Sequence, residues 1–156
     1  MSSSSTTTPP TVRSVLDALD DARRAGSEIL IAAMQAATDM PPALLPGTII
    51  GFGSYDYRYA SGREGTSCAL GFSPRAREFS LYLSCYLDQD ATGQQALFDA
   101  LGRHRLGKGC LYLKDPRTVA PDALAAVLQA SLRSLINSPV VTAVRLGPNA
   151  HLPANE

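Results

Sequence analysis

The sequence predicts an α+β fold of two layers, in which an antiparallel sheet is covered on one face by helices. Apolar residues recur at helical spacing before Pro41 and again after Pro121. Between these helical segments, apolar and polar residues alternate with the period of two that is typical of strands with two different faces. Strands gathered in the middle of the chain, with helices at both ends, favour the α+β class.

Four helices are predicted. The first contains Val12, Val15, Leu16 and Leu19, and the second extends from about residue 22 to residue 38, after an Asp20-Asp21 pair that suits a helix start. Two prolines at positions 41 and 42 end the second helix. A capping-box spacing from Thr92 to Gln95 predicts the third helix. Pro121 opens the fourth, which closes near Asn137.

The predicted strands begin at Thr48 to Gly51, which forms a first strand or the lead into a hairpin that carries three tyrosines. Tyr55, Tyr57 and Tyr59 alternate with other residues, residues 61–65 form a glycine-containing turn, and a second strand follows from Thr66 to Phe72. Further strands are predicted from residue 79 to 85 and from residue 110 to 113, after a turn at residues 73–77 and a glycine turn at residues 107–109. The strand from residue 79 alternates clearly and is therefore predicted to be half-buried.

The predicted domain organisation has three parts. Residues 1–10 are almost all Ser, Thr and Pro, and we interpret them as a disordered tail. Residues 11–137 form the folded domain. Residues 138–156 form an extension in which Val140 to Leu146 has the pattern of an added edge strand, whereas Pro148 and Pro153 indicate a mostly loose end.

Composition limits the classes of function. The 156 residues have a formal net charge of zero, which removes the broad electrostatic argument for nucleic acid or an anionic membrane as a partner. Nine of the 14 basic residues lie between Arg58 and Arg117, with six acidic residues in the same span, so a small anionic ligand is the better match. Three cysteines without CxxC spacing, and no run of about 18 apolar residues, predict a cytoplasmic protein without disulfides or membrane spans.

One motif imitates a nucleotide-binding loop. Gly102 to Lys108 has the GxxxxGK spacing, but a helix precedes it, a strand follows it, and Gly109 stands where a hydroxyl residue is needed for magnesium. Nucleotide hydrolysis is therefore rejected. The remaining interpretation is a turn whose backbone N–H groups and Lys108 bind an anion, or a plain helix-to-strand turn with a solvated lysine.

Turn residues supply the predicted ligand site. Arg63 and Glu64 lie in the hairpin turn and Arg75 lies in the next turn, where they can converge on a carboxylate or phosphate or form only a surface salt bridge. With Tyr57 and Lys108 they make up the predicted basic-aromatic pocket. No cofactor is predicted.

Two further groups of residues are candidates for a function. Asp17, Asp20, Asp21 and Glu28 are interpreted as a solvated helix face, with a metal-binding ridge as the alternative. His104 is a candidate general base only because it lies in a basic, glycine-rich turn, and no residue that would orient it is evident.

Three stretches carry a family resemblance. Ile49–Gly65, Leu70–Arg75 and Leu101–Lys114 together resemble the YdhG-like domain of unknown function, within the YdhG/YjbR/CyaY-like superfamily, over about Val12 to Leu135. The resemblance implies a bacterial, cytoplasmic α+β domain with helices against a curved antiparallel sheet. It also implies a distant link to frataxin-type iron chaperones.

The sequence departs from that family's pattern in places. It has Leu-Leu-Pro-Gly before residue 48 instead of Met-Trp-Gly, Asp56 instead of a frequent His, and Gly109 instead of a Ser. Only five acidic residues precede Pro41, with three arginines among them, which weakens an iron-binding role. The preferred hypothesis is a non-enzymatic binding module for a small anionic ligand or a protein partner, and the alternatives are a frataxin-like iron chaperone or an enzyme using His104. The oligomeric state is left open.

Overall fold

The computed structural model describes residues 11–83, 92–107 and 110–150. The helices are α1 (Val12–Asp17), α2 (Asp21–Thr38), α3 (Thr92–Leu101) and α4 (Pro121–Ile136), with a short 3-10 helix at Pro116–Thr118. The strands are β1 (Ala43–Leu45), β2 (Ile49–Phe52), β3 (Ser54–Arg58), β4 (Glu64–Ser67), β5 (Leu70–Pro74), β6 (Phe79–Leu83), β7 (Arg105–Gly107), β8 (Cys110–Leu113) and β9 (Val141–Arg145).

The two N-terminal helices begin where their capping residues lie. At α1, the Thr11 side chain accepts a hydrogen bond from the Ser14 backbone N–H and the Ser14 hydroxyl accepts one from the Thr11 N–H. At α2, Asp20 Oδ1 accepts from the Arg23 N–H at 2.8 Å. Arg24 then donates to the carbonyl of Leu16 in the last turn of α1 and to the carbonyl of Leu19 just after it. The second helix, predicted from about residue 22 to residue 38, is confirmed, whereas α1 ends at Asp17 and does not include the predicted Leu19.

The nine strands form two antiparallel sheets. The larger has six strands in the order β1-β2-β5-β6-β8-β7, and the smaller has three in the order β4-β3-β9. The α+β class with helices over one face of an antiparallel sheet is confirmed. Two short strands, β1 and β7, were not predicted from the sequence, and β7 occupies part of the segment that was interpreted as a turn.

A single bent hairpin connects the two sheets. Strand β2 pairs with β5 in the larger sheet, and their continuations β3 and β4 pair with each other in the smaller one. The bend lies at Gly53, which has a φ of 67°, opposite Cys68 and Ala69. A Cβ atom on Gly53 would lie 2.8 Å from the carbonyl oxygen of Arg145. The single strand predicted from Thr66 to Phe72 is therefore wrong, because this bend divides it between two sheets.

The core lies between one face of the larger sheet and the helices. Strand register places Ile50, Phe72, Leu81 and Leu111 side by side across four strands, and all four are fully buried. They belong to one cluster with buried residues of the helices: Leu30 and Met34 of α2, Phe98 and Leu101 of α3, and Leu124, Val127, Leu128 and Leu132 of α4. Because strand side chains alternate, the residues between them project to the opposite face of the sheet.

The chain after α4 belongs to the folded unit as far as residue 150. β9 pairs with β3, as the predicted edge strand required. The Gly147 N–H donates to the carbonyl of Thr38 at 2.9 Å, and the Asn149 N–H donates to Asp39 Oδ2 at 2.9 Å. β9 lies within the segment predicted as an added edge strand, and these two hydrogen bonds attach the residues after it, where the prolines predicted a mostly loose end. Residues 1–10, the end of the strand predicted to reach Cys85, and residues 151–156 lie outside the described part of the chain.

None of the helices in the described ranges combines the length and the apolarity that a bilayer-spanning segment requires.

Candidate functional site

The polar side of the larger sheet carries the most chemically distinctive cluster. Phe79 and Leu81 of β6 face the core, so Tyr82 projects to the other side with the outward residues of the neighbouring strands. Register places Tyr112 of β8 on that same side, directly opposite Arg105 of β7. We use the name polar face for the set Arg75, Glu78, Tyr82, Arg105 and Tyr112.

Arg75 is held on the polar face by contacts of its guanidinium and of its backbone. Its Nη2 donates to the phenol oxygen of Tyr82 at 3.2 Å, and this hydrogen bond raises the pKa of the guanidinium. Its backbone N–H donates to the carbonyl of Glu78, and its carbonyl accepts from Arg23 Nη1, each at 3.0 Å. Arg75 is therefore an exposed cation with a defined direction.

Arg105 is held by two neighbours of different kinds. Its Cζ lies 4.0 Å from the centroid of the Tyr112 ring, which is a cation–π contact, and its Nη2 forms an ion pair with Glu78. The Arg105 side chain nevertheless remains 61% exposed. Gly107 leaves room for the tyrosine, because a Cβ atom there would lie 2.8 Å from a ring carbon of Tyr112. The neighbouring Cys110 raises the pKa of the Tyr112 phenol above its ordinary value.

The polar face can bind an anion through spare donors. A guanidinium has five N–H groups in a planar fork, and the side-chain contacts described above occupy only part of that set on Arg75 and Arg105. Such forks bind carboxylate and phosphate oxygens, often two at once. The face therefore offers two oriented cations beside two phenol hydroxyls.

The predicted pocket residues that the structure describes are divided between two sheets, with Tyr57, Arg63 and Glu64 on the hairpin of the smaller sheet and Arg75 directly after β5 of the larger one. Glu64 begins β4 and forms its ion pair with Arg58, at 3.8 Å, and not with Arg63 or Arg75. Arg63 lies in the exposed turn of the hairpin, and no hydrogen bond or ion pair of its side chain is found within the described ranges. Arg75 follows Arg63 by twelve residues, after β4 and β5. A fully extended chain of that length spans on the order of 40 Å, and the bend between the two strands reduces this distance. Lys108 lies outside the described residues.

Tyr57 packs against its own hairpin. It lies opposite Gly65, and a Cβ atom on that glycine would lie 2.8 Å from a carbon of the phenol ring. The predicted tyrosine row is confirmed, since the ring centroid of Tyr57 lies 6.0 Å from that of Tyr55 and 5.4 Å from that of Tyr59. A shallow polar groove of about 420 Å³ adjoins Tyr57 and Glu64. Tyr57 and Glu64 therefore belong to a surface on the smaller sheet, apart from Arg75.

The acidic residues of the N-terminal helices have local structural contacts. Asp20 caps α2, and the backbone hydrogen bond from Arg23 lowers the pKa of its carboxyl. Asp21 forms an ion pair with Arg24 at 3.3 Å. Asp17 and Glu28 are exposed. Across the ranges that the structure describes, no three His, Cys, Asp or Glu side chains are placed to hold a metal ion.

His104 closes the end of α3. Its Nδ1 lies 2.8 Å from the carbonyl oxygen of Gly102, so this nitrogen carries the proton and donates it. Its ring stacks on Phe98 with centroids 6.0 Å apart. Both contacts hold the histidine at the end of the helix, and neither of them is with a nucleophilic side chain.

Sequence reasoning named only one member of the polar face as a site residue, Arg75. Tyr82 and Tyr112 belong to strands that the sequence does predict, but a tyrosine on a strand is more often a packing residue than a site residue. Arg105 was missed because its segment was interpreted as a turn, so no face could be assigned to it. The signal available was the alternation of Arg105, Leu106 and Gly107 directly before the strand at residues 110–113.

No protein-family model, no curated protein and no solved structure matches this chain. The YdhG-like resemblance therefore stays a prediction.

Proposed function

We propose that this protein is a non-enzymatic binding module that takes a small anionic ligand on the polar face. The observation that carries the proposal is the placement of Arg75 and Arg105 on one side of one sheet, each anchored to a tyrosine. In this proposal the protein works in the bacterial cytoplasm, as the YdhG-like resemblance implies. No residue is assigned a catalytic role.

The charges favour an oxyanion that both arginines contact. Glu78 already neutralises part of the charge of Arg105, so the ligand must bring enough negative charge to use the remaining donors. Hydrogen bonds to charged groups contribute about 1.5–3 kcal/mol each, so two arginines support a Kd on the order of millimolar for a bare anion. A natural ligand would add contacts with Tyr82 and Tyr112. The proposal thus names carboxylates and phosphates, with pyrophosphate and succinate as probes.

The test is a titration of the protein with pyrophosphate and, separately, with succinate at constant ionic strength, followed by amide chemical shifts. Arg75→Gln and Arg105→Gln are each expected to weaken binding about tenfold, which corresponds to ~1.4 kcal/mol. Arg63→Gln is the matched control, because it removes an exposed arginine from the other sheet. Equal weakening by all three variants would show unspecific charge attraction, and no shift of polar-face amides at about 10 mM probe, a concentration well above the expected Kd, would overturn the proposal.

A further inference from the structure

Strand β7 is an edge of the larger sheet among the residues that the structure describes. It is the last strand in the order β1-β2-β5-β6-β8-β7, and within the described ranges it pairs with β8 alone. All three of its residues are exposed, and Leu106 at its centre is 48% exposed. A large apolar side chain in the middle of an edge strand is unusual, since edge strands are commonly protected by charges or bulges.

The backbone of this edge has unused hydrogen-bonding groups. In an antiparallel pair, the residues alternate between those that bond to the neighbouring strand and those that do not. Three consecutive residues of β7 pair with β8, so at least one of them directs its N–H and C=O away from the sheet. Those groups are available to a further strand.

Both edges of the smaller sheet are less suited to pairing. The residues of β4 are Glu64, Gly65, Thr66 and Ser67, and none has a large apolar side chain. The pairing of β9 with β3 contains a register shift between Asp56 and Tyr57, which disturbs the regular spacing. Of these three edges, β7 alone combines regular pairing with an exposed apolar residue.

Charge and side-chain direction specify the partner. Leu106 lies opposite Leu111, on the core side of the sheet, whereas Arg105 projects to the polar face. Arg103, just before the strand, is also exposed. A strand added to β7 would therefore place an apolar side chain beside Leu106 and meet the positive charge of Arg105 at the position next to it.

We infer that β7 binds an extended acidic segment of a partner protein as an additional strand. The segment alternates apolar residues, which pack on Leu106, with carboxylates, which pair with Arg105. A three-residue edge forms only a few backbone hydrogen bonds of about 0.5–1.5 kcal/mol each, so a short peptide is expected to bind weakly. This inference goes beyond the proposed anion site, and the two sites have one residue, Arg105, in common.

The test uses a peptide of alternating valine and aspartate, blocked at both ends, with a valine–lysine peptide as the control. The expected result is a shift of the amide signals of β7 with the aspartate peptide and slower hydrogen exchange of at least one of them. Leu106→Asp is expected to remove this binding while keeping pyrophosphate binding. Arg75→Gln is expected to weaken pyrophosphate binding about tenfold while keeping the binding of the aspartate peptide, so failure of the edge site and failure of the anion site are distinguishable.

Three results would overturn the inference. The first is equal binding of the lysine peptide, and the second is an absence of β7 shifts at millimolar concentrations of the aspartate peptide. The third is concentration-dependent self-association through β7 without the aspartate peptide binding, which would make a second copy of this chain the occupant of the edge.

Discussion

Arg145 on the last strand holds Asp56 on β3 by two contacts, from Nη2 to Oδ1 at 2.5 Å and from Nη1 to Oδ2 at 3.2 Å. The same guanidinium donates through Nε to the hydroxyl of Ser54 at 2.8 Å, and Thr66 on β4 donates to Asp56 Oδ1 at 2.7 Å. One carboxylate therefore connects all three strands of the smaller sheet. The contact joins residues 89 positions apart in the chain.

Asp56→Asn is expected to destabilise the protein more at neutral pH than at acidic pH. The hydrogen bond from Arg145 lowers the pKa of Asp56, followed by the one from Thr66. A carboxyl whose pKa is lower in the folded state stabilises the fold above its ordinary pKa of about 4, and this stability is lost as the pH falls through the lowered value. The difference in urea midpoint between wild type and Asp56→Asn should therefore shrink from about pH 6 to below about pH 3.

The arginine partner provides the control for that measurement. In an Arg145→Gln background, the effect of Asp56→Asn on the urea midpoint should depend less on pH. The double variant should also be less destabilised than the sum of the two single variants, because both substitutions remove the same contact. A pH-independent difference, or full additivity, would show that Asp56 acts through another interaction.

Gly53→Ala is expected to lower the free energy of unfolding by about 3 kcal/mol or more, since it combines a strained backbone with a clash. Its φ is 67°, and the new Cβ would meet the Arg145 carbonyl at 2.8 Å. Gly62→Ala is the control, because Gly62 has a φ of 93° with no atom near the added Cβ. That variant should cost about 1–2 kcal/mol. Equal costs in denaturant unfolding would mean that the close approach at the bend is relieved easily.

Ser131→Ala is expected to stabilise the protein. The Ser131 hydroxyl is fully buried on α4 and has no hydrogen-bond partner within the described structure. Removing an unsatisfied buried hydroxyl, and placing alanine in a helix, should together add about 1 kcal/mol, or a rise in Tm of roughly 2–4 °C. Ser14→Ala should act in the opposite direction, since that hydroxyl accepts from the Thr11 N–H in the capping box. A lower Tm for Ser131→Ala would contradict the prediction and indicate a bound water.

Cys68 is expected to react slowly with thiol reagents at neutral pH. Burial raises the pKa of this thiol, and its sulfur lies over the sheet, 3.0 Å from where a Cβ on Gly71 would be. The thiolate is the reactive form, so the rate should keep rising above the ordinary thiol pKa of about 8.5. A variant with Cys85 and Cys110 changed to serine isolates the signal. A rate plateau near or below about pH 8.5 would contradict the raised pKa.

The helices could be predicted because their signals are local. The cap at Asp20, the prolines after α2 and the proline that opens α4 act within a few residues of the element they define. The strand at Phe79–Leu83 was equally clear, because its apolar residues face one buried core. β7 was missed because three residues that include a glycine show too little alternation to distinguish a strand from a turn.

The candidate site could be predicted only in part, for a different reason. The charge distribution indicated an anionic ligand, and the position of Arg75 in a turn made it a candidate. The same reasoning grouped Arg75 with Arg63, which lies in a turn of the other sheet. The bend at Gly53 decides this separation. The contact of Arg105 with Tyr112 depends on how β7 pairs with β8, and the residue spacing within each segment does not predict that pairing.

The amino-acid sequence by itself determined the class of fold, the helix positions and the alternating face of the central strands, because capping, proline geometry and periodicity act over a few residues. Only the tertiary structure decided which cations share a surface. That outcome depends on which strands pair, in which register, and where the hairpin bends, and these are set by packing between residues far apart in the chain.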